Sequence, residues 1–179
     1  MERPTWATVV GIVGIILGCF GIIGAGQLAM MPKMMELQKE MFSAMEKTMA
    51  QEAARSGGPM PPVAPFKAFQ KMWDFPEWFG TWCVVAGFLA LFVSGFYVFA
   101  SIRLIQVKPS AIKLFYTAAG IAIGFTLLRG VVAMAAESFM GLGMLMGGMF
   151  GLVINVVLLI VVATADKEAF SSQQAQQDS

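Results

Sequence analysis

Histidine is absent from the 179 residues. That removes the commonest ligand for zinc and copper, the usual axial ligand of haem, and the side chain most often used as a general acid or base. Haem subunits and metalloproteases are therefore disfavoured. Charge is scarce as well, at 13%, against about 25% in an ordinary soluble domain. The net charge of +1 leaves no basic patch large enough to hold nucleic acid. There are two cysteines, Cys19 and Cys83. Neither belongs to a CxxC pair and both lie in or near apolar stretches, so they read as small hydrophobes rather than a metal site or a disulfide framework. Candidate nucleophiles in apolar segments (Cys19, Cys83, Ser94, Thr117, Thr126) have no base beside them in a recognisable motif. No glycine-rich phosphate loop occurs either. The expectation is a protein that is not an enzyme and carries no cofactor or metal.

What the chain does contain is apolar length. It is 58% hydrophobic, with a mean hydropathy of +0.73, and holds several runs longer than the roughly 18 residues that mark a membrane-spanning helix. The pattern predicts an all-α membrane protein: one domain over 1–179, with four transmembrane helices at about 6–30, 77–102, 114–136 and 142–165. The long loop between spans 1 and 2 (31–76) is predicted to hold an amphipathic helix and an interfacial aromatic helix, and residues 170–179 a disordered tail.

The first span carries Gly11, Gly14, Gly18 and Gly21, then Ala25. Spacings of three and four keep one helix face nearly bare, and close backbone packing drives helix association in lipid. This seam is expected to dock span 1 onto the other three helices. A secretory signal peptide fits less well, because the n-region holds only Glu2 and Arg3 and the apolar run exceeds the usual h-region of about 7–15 residues.

Residues 31–55 change character. Lys33, Glu36, Lys39, Glu40, Glu46, Lys47 and Glu52 alternate in sign, while Met34, Leu37, Met41, Met45 and Met49 recur every three or four residues. That is an amphipathic helix with a methionine stripe, continuing the first span beyond a kink at Pro32. The stripe packs on the protein's own surface, on another copy, or on a partner, for which methionine is an adaptable contact. Ser56 to Pro65 is a Pro/Gly linker. Phe66, Phe69 and Trp73 then mark the short interfacial helix, and Trp78 and Trp82 extend an aromatic belt. Asp74 and Glu77, with Pro76 between, resemble a capping box that starts span 2.

Arg103, Lys108 and Lys113 surround Pro109 with no acid between them. Retention of positive charge on the cytoplasmic side places both termini inside and the 31–76 loop outside. The short connection 137–141 makes spans 3 and 4 an antiparallel hairpin. Gly120 and Gly124 on one, and Gly143, Gly147 and Gly151 on the other, are expected to be their contact faces.

Arg129 is the one charged residue inside a span. A central membrane arginine costs at least about 2.5 kcal/mol, so it needs water, a partner or a short reach to the interface. The candidate partners are Gln27, Glu137 and Asn155. The pair Met140 and Met144, beside a glycine-spaced helix, is similar to an arrangement in eukaryotic copper-uptake transporters. That resemblance covers a few residues, lacks the histidines, and belongs to proteins of three spans; adaptable packing accounts for the methionines more simply.

The function expected from these residues is assembly: a non-catalytic integral membrane subunit or scaffold that packs in the lipid bilayer with another membrane protein or as a homo-oligomer. The alternative is a small oligomeric channel or transporter component with Arg129 facing an outer vestibule.

Overall fold

The computed structural model describes residues 4–56, 76–108, 110–135 and 139–165. They form four helices in chain order: α1 (Thr5–Ser56), α2 (Glu77–Ile105), α3 (Ala111–Ala135) and α4 (Phe139–Thr164). No strand occurs among the described residues. All four helices contain a segment long and apolar enough to cross a membrane, by length and composition. Ser56, expected to open the linker, is instead the last residue of α1; the rest of that linker (57–65), the interfacial helix around Phe66, Phe69 and Trp73, and the tail at 170–179 lie outside the described residues.

α1 is one continuous helix of 52 residues with Pro32 inside it. At 1.5 Å per residue it is about 78 Å long, against a bilayer core of about 30 Å. The first span and the methionine-rich segment are thus a single element. α2 begins at Glu77 with Pro76 at the N-cap (φ −57°, ψ 144°) and no side-chain cap. Pro76 therefore precedes the first turn instead of lying inside a capping box; Asp74 lies outside the described residues.

α2 ends in a tight reversal. The Lys108 amide donates to the Arg103 carbonyl at 3.3 Å and the Val107 amide to the Leu104 carbonyl at 3.0 Å, the paired bonds of a Schellman ending. That motif usually places glycine where Val107 sits, at φ 54°. A β-branched residue is strained there, at a cost of about 1–3 kcal/mol. Burial of the Val107 side chain in the same cluster as Leu104 and Ala111 offsets it.

α1 and α2 form the main antiparallel pair, α3 packs on α2 and α4, and α1 touches α4 lightly. Two buried clusters result. One joins Ala7 and Val10 of α1, Tyr97, Ala100 and Leu104 of α2, Phe115, Ala118 and Ala119 of α3, and Leu158 and Val162 of α4. The other, towards the far end of the bundle, joins Leu28 and Met31 of α1 with Phe79, Cys83 and Ala86 of α2, flanked by Phe125 and Val132 of α3.

Candidate functional site

The glycine face of α1 lies against α2. A Cβ at Gly11 would meet Ile105 and come within 3.0 Å of the Ser101 carbonyl oxygen. One at Gly14 would meet Ser101, one at Gly18 would meet Val98, and one at Gly21 would meet Ser94. Further along, Ala25 and Ala29 press on Gly87, and Pro32 lies 3.8 Å from where a Cβ of Gly80 would stand. The α2 residues involved, Gly80, Gly87, Ser94 and Ser101, recur every seven residues. So do Gly11, Gly18, Ala25 and Pro32 on α1. Two small-residue ridges with the same seven-residue repeat stay in register along a left-handed crossing, which is why the helices remain close over the whole pair. The α2 ridge is harder to read from the sequence because two of its members are serines, although its seven-residue spacing is present there.

The α3–α4 contact differs from expectation. Nothing lies within 4 Å of a Cβ built at Gly120, Gly124, Gly143, Gly147 or Gly151. The packed face of α3 instead runs through Ala111, Phe115, Ala118 and Phe125. Helix steps of about 100° per residue put Gly120 half a turn away from Ala111. The two helices approach at Gly148, where a Cβ would stand 3.3 Å from the Thr126 methyl.

Arg129 lies in line with Ala111, Ala118 and Phe125, so it sits on the packed face of α3. Its guanidinium carbon is 6.0 Å from the centroid of the Phe125 ring, at the outer limit of a cation–π contact. Gln27 is exposed on α1. Asn155 is seven residues past Gly148, whereas Arg129 is three past Thr126 in the opposite direction. The antiparallel register therefore separates them by about 15 Å in depth, and Asn155 is no partner for Arg129. Instead the Asn155 amide donates to the Gly151 carbonyl at 2.8 Å, and its Oδ1 is buried without a partner. Glu137 lies outside the described residues, as do the side chains of Met140 and Met144.

Beside Arg129 a cleft of about 200 Å³ opens between α3 and α4, lined by Thr126, Arg129, Gly130, Met134, Gly148 and Leu152 among others. No cluster of histidine, cysteine and acidic residues fit to hold a metal occurs among the described residues. Cys19 is exposed and Cys83 is buried; the Cys83 thiol points to the Met31 sulfur at 3.9 Å.

The predicted partner-binding residues lie on the half of α1 beyond Pro32. Met34, Leu37, Met41 and Met45 are 59, 57, 62 and 48% exposed, and Met49 is half-buried. The hydroxyls of Ser43 and Thr48 donate back to the Glu40 and Ala44 carbonyls of the same helix, at 2.8 and 2.9 Å. Compared with protein-family models, curated proteins and solved structures, the chain matches none.

Proposed function

We propose that the chain is a non-catalytic, multi-pass membrane subunit or scaffold that assembles with itself or a partner complex through the half of α1 beyond Pro32. One observation supports this reading above the others. Four large apolar side chains, Met34, Leu37, Met41 and Met45, stand exposed along a helix continuous with a membrane span. Fully burying a side chain of this size is worth about 1.5–3 kcal/mol. Covering four that are half exposed returns several kcal/mol to whatever seats on them. Methionine suits the task because its flexible thioether adapts to the partner's shape. The basic residues Arg103, Lys108 and Lys113 support an orientation with this segment on the side away from the cytoplasm and both termini inside.

The test replaces both Met41 and Met45 with Glu and measures mass by native mass spectrometry in mild detergent and in nanodiscs. The wild type is expected to be a defined oligomer or to retain a partner, and the double variant a monomer of unchanged helicity. A wild type that is a lone monomer in both media refutes the proposal.

A further inference from the structure

We propose that the cleft between α3 and α4 holds an anionic phospholipid, with its phosphate on the Arg129 guanidinium and an acyl chain along the apolar wall. The site lies in the leaflet reached by the C-terminal end of α3.

Several observations converge on that ligand. Arg129 has no ion-pair partner among the described residues, and its guanidinium meets the Phe125 ring only at the outer limit of a cation–π contact. It lines the cleft together with Thr126, whose hydroxyl already donates to the Ala122 carbonyl at 2.8 Å. The rest of the wall is apolar or glycine. Leu127, Val131, Met134 and Met149 line it too and are 56, 59, 61 and 59% exposed. The cleft therefore opens sideways onto the apolar perimeter of the bundle. A ligand that enters from the bilayer, meets apolar walls and ends on one guanidinium must be amphipathic with an anionic group.

Depth agrees with this. Arg129 is six residues from the end of α3 at Ala135, or about 9 Å below it along the axis. A long, flexible side chain at that depth reaches towards the headgroups, as membrane arginines do. The planar guanidinium binds phosphate oxygens in a fork that lysine cannot reproduce. A zwitterionic headgroup carries its own cation next to its phosphate, so a single arginine favours the lipid with net negative charge. One basic residue near the surface supplies roughly a five-fold preference.

The experiment uses the full chain, purified in mild detergent and offered phosphatidylglycerol and phosphatidylcholine in equal amounts. Native mass spectrometry then counts the lipids retained. Wild type is expected to retain phosphatidylglycerol over phosphatidylcholine by roughly five-fold. Arg129→Gln should bring the ratio to one, and Arg129→Lys should keep part of the preference. Equal retention by the wild type, or a preference that survives Arg129→Gln, overturns the proposal. Should Arg129→Gln fail to fold, Val131→Trp keeps the charge and narrows the mouth of the cleft from an exposed position. It should lower phosphatidylglycerol retention, and unchanged retention would again overturn the site.

Discussion

Gly87→Ala should destabilise the bundle, whereas Gly120→Ala should stabilise it. Both changes add one methyl group to a glycine inside an apolar helix. At Gly87 that methyl would stand 2.8 Å from the Ala29 Cβ, 2.9 Å from the Ala29 nitrogen and 3.0 Å from the Ala25 carbonyl oxygen. Two of these are backbone atoms of α1 and cannot swing aside, so the helices must separate. Overpacking of this kind costs about 1–3 kcal/mol. At Gly120 nothing lies within 4 Å, and the methyl enters open space. Replacing glycine by alanine in a helix returns about 0.8–1.0 kcal/mol at either site. Because that gain is common to both, the difference between the variants isolates the clash at about 1–3 kcal/mol. Every 1.4 kcal/mol is ten-fold in an equilibrium constant. Reversible unfolding with SDS in mixed micelles, followed by helicity, measures it. Equal midpoints for the two variants would refute a close α1–α2 contact at Gly87.

Two further outcomes follow from groups inside the bundle. The Tyr97 hydroxyl is buried without a hydrogen-bond partner, in a residue that is 3% exposed. A buried unpaired polar group costs about 1–3 kcal/mol, so Tyr97→Phe should leave the same SDS midpoint unchanged or raise it; a large drop would reveal a bond the hydroxyl makes. Cys19 is exposed and Cys83 is 0% exposed. In detergent an apolar maleimide should modify Cys19 and spare Cys83 until SDS unfolds the chain, and equal labelling rates by mass spectrometry would contradict the packing of Met31 on Cys83.

The four helices were legible because an uninterrupted apolar run long enough for a bilayer has few other uses in a chain of this size. Continuity through Pro32 was half legible. The three-and-four spacing of apolar residues carries on across the proline, whereas a proline inside a helix ordinarily interrupts it. Which small residues meet which was harder to read. α4 places glycine at 141, 143, 147, 148 and 151, on more than one face, so a small-xxx-small pattern alone could not select Gly148. On α3 the alanines of the packed face do what glycine was expected to do. Arg129 was identifiable by its charge alone, but its neighbours depend on the α3–α4 register, and a loop length does not fix register to within a turn. The reversal at Val107 carried no signal at all, since turn chemistry would have placed glycine there.

The close packing of α1 on α2 also bears on the segment beyond Pro32. An isolated amphipathic helix draws most of its stability from packing its apolar face, because nucleating it is costly. Here the helix is already nucleated: the span below it is held against α2 from Gly11 to Ala29 by contacts at backbone distance. The contact fades towards the start of α2, where Pro32 faces Gly80 and Met35 packs against the cluster that includes Phe79. Past that point the exposed residues Met34, Leu37, Met41 and Met45 continue the line of Ile16, Phe20, Ile23 and Met30, which are exposed on the side of α1 away from α2. The glycine face and the methionine stripe are therefore opposite sides of one helix with separate roles. The first fixes the direction of α1, and the second is left free by that docking. A partner seated on the stripe would be held at a set angle to the bundle, because the element carrying it is anchored along half its length.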